Sequence, residues 1–100
     1  MLIMLIKPSL AKKMLASFSD WEINPKEIKK TFRFPSFLTA ISFVNRISVE
    51  AEKTNHHPDI DIRYNKVQIT LSTHSEGGIT EKDVKMAKVI EKIKKGSVDR

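Results

Sequence analysis

The spacing of apolar residues alternates along this chain between the period of a helix and the two-residue period of a strand. A helix and a sheet each bury one face, so a chain that contains both must pack them against each other around a core. A length of 100 residues leaves room for one such core. The sequence therefore predicts a single domain over residues 1–100.

Three segments have apolar residues at helical spacing. The first begins after Ser9, which is a candidate N-cap, and the second and longest runs from Phe37 to about Thr54. The third opens with residues 80–83, whose sequence TEKD is similar to a capping box with Asp in place of the usual Glu. We expect residues 95–100, at the end of this helix, to be frayed.

Two further segments alternate apolar and polar residues, and each contains a turn. An Asn-Pro turn separates residues 20–23 from residues 27–34, and an Asn-Lys turn separates residues 59–64 from residues 67–73. Two β-hairpins are therefore expected between the helices. The complete order, α-β-β-α-β-β-α, predicts an α+β fold in which a four-stranded antiparallel sheet has three helices packed on one face.

The order of the strands within the sheet stays open, because periodicity does not reveal which strands pair. Two edges of any such sheet remain unpaired, and the strand over residues 67–73 carries little charge to deter pairing with another copy. We therefore expect a homo-oligomer, either a dimer or a tetramer.

The chain opens with an apolar run, MLIMLI, that ends at Lys7 and Pro8. This run is too short for the core of a signal peptide and far too short to cross a bilayer. We interpret residues 1–8 as a strand or an extension that covers the core or an oligomer interface. The expected protein is soluble, cytoplasmic and without a membrane role.

Cysteine content and charge exclude several classes of function. The sequence has no cysteine, which rules out disulfides, thiolate zinc sites and cysteine nucleophiles. The 18 basic and 12 acidic residues give a formal net charge of +6, which favours anionic partners or simple solubility. The strands carry no ribonucleoprotein-like aromatic motif and the helices no recognition-helix pattern, so we expect no direct nucleic-acid binding.

The three histidines are the most informative feature of the sequence. His56 and His57 precede Pro58, which disfavours helix in the residue before it, so they are expected at the C-terminal end of the long helix. Glu52 lies four residues before His56 and would reach it on one helical face. His74 follows the last strand, beside a glycine-containing loop.

Three interpretations of these histidines remain open on spacing alone. They could be hydrogen-bonded surface residues, metal ligands or general acid-base groups. Adjacent histidines rarely chelate one ion, and the His-x-x-x-His spacing of a helical zinc site is absent, so a metal site is less favoured than the other two interpretations. Imidazole titrates near neutral pH, and two imidazoles on either side of a substrate can donate and accept protons.

The spaced residues resemble the signature of the pterin-4a-carbinolamine dehydratase family. The resemblance extends from Trp21 to the final helix and weakens before Ser19. The matching positions, in chain order, are Glu52, His56, His57, Pro58, Tyr64, His74 and Asp83. The fold of that family, a four-stranded antiparallel sheet with three helices on one face, agrees with the order derived above.

The resemblance implies an activity and a substrate class. Members of the family dehydrate 4a-hydroxytetrahydropterin, which aromatic amino acid hydroxylases release, to quinonoid dihydropterin, which a reductase then recycles. The reaction requires neither a metal nor a cofactor. The implied partners are therefore a small pterin and, functionally, an aromatic amino acid hydroxylase.

The resemblance also implies that His56, His57 and His74 lie in one pocket, and it implies roles for individual residues. His56 and His74 correspond to the acid-base groups, His57 to a residue that binds and orients the pterin, and Glu52 to a carboxylate that supports the first histidine. Trp21 corresponds to a tryptophan near the family pocket, although a core aromatic explains it equally well. The segments that line the family pocket also supply Asn55, Ser72, Thr73 and Ser75. Asn55 replaces a common Asp, and Ser75 replaces a common Glu.

The resemblance implies a second function of another class. Family members in animals also bind and stabilise the dimer of a homeodomain transcription factor, through the surface that they use for self-association. A non-catalytic interaction module, of the dimerisation-cofactor or coactivator type, is therefore the alternative. The intact histidine triad favours the enzyme, because a pure binding module has no physical need for it.

Overall fold

The computed structural model describes residues 3–97, and over that range it has three α-helices and four β-strands. The order α-β-β-α-β-β-α confirms the predicted α+β fold. A short 3-10 turn, His74–Glu76, follows the last strand. The helices are α1 (Pro8–Met14), α2 (Phe37–Thr54) and α3 (Glu81–Ser97), and the strands are β1 (Glu22–Ile23), β2 (Ile28–Arg33), β3 (Asp59–Arg63) and β4 (Lys66–Leu71).

The sheet is antiparallel throughout, with the strand order β1-β2-β4-β3. The low-charge strand over residues 67–73 is therefore not available to pair with another copy, because β4 pairs with β2 on one side and with β3 on the other. Val67, Ile69 and Leu71 of β4 are fully buried on the core face, and the central position of the strand follows from its pairing with both neighbours. The two edges are β1 and β3, and a homo-oligomer stays a prediction.

The core lies between the sheet and the helices. Phe43 of α2 packs against the rings of Phe32 and Phe34, with centroids 5.1 Å and 4.8 Å away. Ser36 begins α2 by accepting a hydrogen bond from the Thr39 amide, while the Thr39 hydroxyl accepts from the Ser36 amide. This reciprocal cap fixes the start of the helix that leads to the histidines.

Several element boundaries differ from the sequence prediction. Helix α1 begins at Pro8 with Lys7 as its N-cap, rather than after Ser9, because proline suits the first turn of a helix. Asp20 has a positive φ of 70°, which lies outside the strand region, and β1 covers only Glu22–Ile23. Helix α3 continues to Ser97, past the start of the expected fraying, and residues 98–100 lie outside the described residues.

The N-terminal segment packs beside the loop that leads into α3. Leu5 forms an isolated antiparallel bridge with Thr80, and the Ile6 amide donates to the Ile79 carbonyl at 2.9 Å. Residues 5 and 6 are thus extended and contact the domain, while residues 1 and 2 of the predicted extension lie outside the described residues. Within residues 3–97, no helix is both long and apolar enough to cross a membrane.

Gly78 lies where this loop passes the turn between β1 and β2. A Cβ atom here would stand 2.6 Å from the carbonyl oxygen of Pro25, a backbone atom that no side-chain rotation can move. Replacing Gly78 with Ala is therefore expected to lower the free energy of unfolding by about 1–3 kcal/mol, as measured by urea denaturation. Gly96→Ala is the matched control, because a Cβ there meets nothing within 4 Å. Equal stability of the two variants would contradict this account.

Candidate active site

The end of α2 directs two adjacent histidines to different partners. After Thr54 the chain turns at Asn55, which has left-handed angles of φ 51° and ψ 43°. The amide of His56 then donates back to the Ala51 carbonyl at 3.1 Å, as in a Schellman cap. Asparagine tolerates this conformation better than most residues. Asn55, a predicted pterin contact, thus also ends the helix.

His56 bonds to a buried carboxylate. Its Nε2 lies 2.6 Å from Oδ1 of Asp83, which is fully buried, and the imidazole itself is 11% exposed. A carboxylate oxygen accepts hydrogen bonds, so Nε2 carries the hydrogen of this pair. The other ring nitrogen, Nδ1, is therefore the one that remains to exchange a proton with a ligand.

The second oxygen of Asp83 organises the neighbouring backbone. Oδ2 accepts from the Thr73 hydroxyl at 2.8 Å and from the Thr80 amide at 2.9 Å. Because the Thr73 hydrogen is used in this way, the Thr80 hydroxyl must donate to Thr73 Oγ1, 2.7 Å away. The predicted capping interaction of Asp83 is thus present, inside a larger network. Among the described residues, no buried side-chain nitrogen or oxygen lacks a hydrogen-bond partner.

The same network fixes the base of the turn that carries His74. The Thr73 amide donates to the Gly78 carbonyl at 2.8 Å, and the Thr73 carbonyl accepts from the amides of Glu76 and Gly77 at 2.9 Å and 3.0 Å. The Thr73 hydroxyl is bonded to Asp83. One buried carboxylate therefore holds the His56 imidazole directly and the His74 turn through Thr73.

The expectation of a single histidine pocket is not met, because His56 and His74 line different cavities. His74 is exposed in a shallow cleft of about 280 Å³, which it shares with Ser72, Asp59 and Gly77. The Ser72 hydroxyl donates to the Lys26 carbonyl at 2.8 Å. His56 instead lines an apolar pocket of about 120 Å³, whose walls include Thr54, Lys82, Lys85, Met86 and Val89. None of these two cavities and the three others found within residues 3–97 is lined by both imidazoles.

Glu52 bonds to His57, whereas the sequence predicts a bond to His56. Its Oε2 accepts from Nε2 of His57 at 2.5 Å. The expectation assumed a continuous helix, whereas the left-handed turn at Asn55 rotates His56 away from the helical position. Both side chains are more than half exposed, so this pair orients His57 and contributes little to the stability of the fold.

Of the other predicted site residues, Thr73 and Trp21 have hydrogen-bonded side chains, and Ser75 is exposed. Thr73 is buried, and its hydroxyl donates to Asp83 and accepts from Thr80. Ser75 is exposed on the 3-10 turn. Trp21 donates its indole N–H to Glu91 at 2.8 Å and packs edge-on against Phe32, which supports its interpretation as a core aromatic.

The sequence did not assign a site role to Asp83 or to Thr80. Asp83 was visible only as a capping residue and as a match to the family signature. Its contact with His56 spans 27 positions of the chain and depends on how α2 and α3 pack. Among residues 3–97, no three His, Asp or Glu side chains converge in a way that could hold a metal ion.

Known proteins are similar to this chain over most of its length. A relative from Herpetosiphon aurantiacus is 52% identical over 86% of this chain and 94% of its own length. A relative from Chloroflexus aurantiacus is 49% identical over 79% of this chain and 85% of its own length. Both carry the name "putative pterin-4-alpha-carbinolamine dehydratase".

Solved structures have the same fold. The crystal structure of a "transcriptional coactivator/pterin dehydratase" from Brucella melitensis matches with a TM-score of 0.80 and 37% identity, over 88% of this chain and 96% of that one. A pterin dehydratase-like RuBisCO assembly factor, at 24% identity and a TM-score of 0.61, shares the fold over 73% of this chain and 84% of its own. The family profile described as pterin 4 alpha carbinolamine dehydratase matches residues 5–93. The chain therefore belongs to the pterin 4 alpha carbinolamine dehydratase family.

Proposed function

We propose that this protein dehydrates a 4a-hydroxytetrahydropterin to the quinonoid dihydropterin. The observation that carries the proposal is the Asp83 network, which holds the His56 imidazole and anchors the turn of His74 in a member of this family. Both imidazoles have a place at which a proton can be exchanged: Nδ1 of His56 is free of the Asp83 bond, and His74 is exposed in its cleft.

The proposed reaction balances with histidine groups alone. The bond between C4a and the hydroxyl oxygen breaks, and the oxygen leaves as water after it receives a proton. N5 loses a proton, and its electron pair forms the double bond to C4a. The carbon framework loses water, so no oxidant or reductant is consumed. One imidazole in its protonated form and one in its neutral form supply the two transfers.

We assign the acid-base roles to His56 and His74, and the orienting role to His57. Glu52 acts on His57, because that is the imidazole it bonds. Asp83 is a positioning residue: it holds the His56 ring in one tautomer and contacts no substrate. The quinonoid product can be reduced again, so the reaction would support tetrahydropterin recycling for an aromatic amino acid hydroxylase.

The proposal predicts that wild-type protein accelerates the loss of 4a-hydroxytetrahydropterin. The measurement follows absorbance after the substrate is generated in place, in buffer and with increasing protein. We expect a rate that rises with protein concentration and saturates with substrate, and a product with the spectrum of quinonoid dihydropterin. A folded sample that leaves the rate at its value in buffer would refute the proposed function.

Removing the charge of Glu52 is expected to weaken substrate binding rather than the chemical step. Glu52→Gln loses the charge-assisted bond to His57, worth about 1 kcal/mol, so KM should rise about 5-fold while kcat changes less than about 2-fold. The melting temperature should not change, because the pair is exposed. Glu22→Gln, an exposed carboxylate on β1, is the matched control. A fall in kcat at unchanged KM would contradict the orienting role.

A non-catalytic interaction module is the second candidate function. Helix α2 leaves Phe37, Leu38 and Val49 between 52% and 77% exposed, so apolar side chains are available for contact with another protein. The Brucella melitensis relative is also described as a transcriptional coactivator. This function would be favoured if the His74→Ala variant still bound a partner protein while the wild-type protein did not catalyse dehydration.

A further inference from the structure

The uncovered face of the sheet carries three cations side by side at one end. In the register between β2 and β4, Arg33 lies opposite Lys66, and in the register between β4 and β3, Lys66 lies opposite Arg63. The three residues therefore form a row across three neighbouring strands, which spans about 10 Å. All three line the same open groove.

This arrangement is electrostatically unfavourable in the absence of a ligand. Like charges directly opposite each other destabilise a pair of strands. Arg63 is partly compensated by Asp61, whose Oδ1 lies 3.2 Å from its Nε. Asp20 and Glu22 share a neighbouring cleft with Arg33, yet within residues 3–97 no carboxylate oxygen comes within 4.0 Å of the charged nitrogens of Arg33 or Lys66.

The groove has the size and lining of a site for a small polar ligand. Its volume is about 410 Å³, within the usual range for small-molecule sites. Besides the three cations and Asp61, it is lined by Thr31 and Gln68, whose hydroxyl and amide groups can hydrogen-bond a ligand. No aromatic side chain of the described residues lines it, so nucleic-acid bases would find no stacking platform.

We propose that this groove binds the phosphate groups of a small phosphorylated ligand. Guanidinium groups match phosphate oxygens with two parallel hydrogen bonds, and a lysine adds a point charge between them. The row is wide enough for two adjacent phosphate groups, so pyrophosphate is the simplest probe. The groove shares no lining residue with the cavities of His56 and His74, so the proposal does not depend on the dehydratase activity.

The test is calorimetric titration of the full chain with pyrophosphate. We expect saturable binding to wild type that weakens at least about 10-fold in Arg33→Gln and in Lys66→Gln, since each removes a charged phosphate contact. Lys12→Gln, which removes one exposed charge on α1, is the matched control and should bind as wild type does. Absence of binding to wild type, or an equal loss in Lys12→Gln, would overturn the proposal.

Thermal unfolding gives an independent readout that also establishes folding. Without ligand, Arg33→Gln and Lys66→Gln should melt above wild type, because each relieves the repulsion within the row. Pyrophosphate should raise the melting temperature of wild type by more than that of either variant. Lower melting temperatures for both variants would contradict the repulsion. Tighter binding of a mixed-sequence single-stranded oligonucleotide, increasing with its length, would overturn the small-ligand assignment.

Discussion

Replacing Asp83 with Asn is expected to lower the rate constant for dehydration at least about 100-fold. Three donors face the carboxylate: the Nε2–H of His56 on one oxygen, and the Thr73 hydroxyl and Thr80 amide on the other. An Asn side chain offers one oxygen and one NH2 group, so it cannot accept on both sides. Keeping the two threonine bonds turns its NH2 group toward His56.

The imidazole of His56 must then change tautomer. An NH2 group facing Nε2 requires that nitrogen to accept, which moves the hydrogen of neutral His56 to Nδ1. Nδ1, the nitrogen that is free to exchange a proton with the substrate, then carries a hydrogen in the neutral ring and cannot accept one. The ¹⁵N chemical shifts of the His56 ring measure the tautomer directly. They should show Nε2–H in wild type and Nδ1–H in Asp83→Asn.

A control and a stability measurement separate this effect from unfolding. Glu81→Gln changes an exposed carboxylate in the same helical turn, which is paired only with Lys85, and should retain wild-type turnover. Asp83→Asn should lose about 1–3 kcal/mol of unfolding free energy, because a buried hydrogen bond is removed or reversed. Near-wild-type turnover in a folded Asp83→Asn protein, with the tautomer changed, would refute the positioning role.

Replacing His74 with Ala is expected to lower turnover by a factor of about 100, the contribution of a general acid or base. Stability should change by less than about 0.5 kcal/mol, since the side chain is exposed and forms no hydrogen bond with the described residues. The loss of rate and the preservation of folding should therefore be seen in the same sample. Rate measurements at saturating substrate, with urea denaturation alongside, check both expectations.

Glu76→Gln is the matched control for His74→Ala. Glu76 lies on the same 3-10 turn, is exposed, and contributes only its backbone amide to the anchoring of the turn at Thr73. This variant should keep turnover within about 2-fold of wild type, as expected for a surface substitution. Equal losses in the two variants would assign the effect to the turn rather than to the imidazole.

The parts of the fold that depend on local chemistry were predictable from the sequence. The bounds of α2 matched, because Ser36 caps its start and Pro58 prevents its extension. The strand order was not predictable, because it depends on pairings between distant segments. The buried alternation of β4 is compatible with either an edge or a central position until β2 is seen to pair with it.

The candidate site, like the fold, could be predicted from the sequence only in part. The sequence identified the three histidines and Glu52, but it assigned Glu52 to His56 on the rule for neighbours in a helix. A single left-handed residue, Asn55, invalidated that rule. The true partner of His56 is Asp83, whose local signal is a helix cap, and only the packing of α3 against α2 reveals its second use.

The decisive measurement is the rate of loss of 4a-hydroxytetrahydropterin with wild type and with the double variant His56→Ala/His74→Ala, each confirmed to be folded. Because the two imidazoles serve one reaction, the double variant should lose most of the acceleration that wild type provides. Saturable acceleration by wild type and a rate near that in buffer for the double variant is the expected result. Equal acceleration by both proteins, or none by either, would contradict histidine-catalysed dehydration.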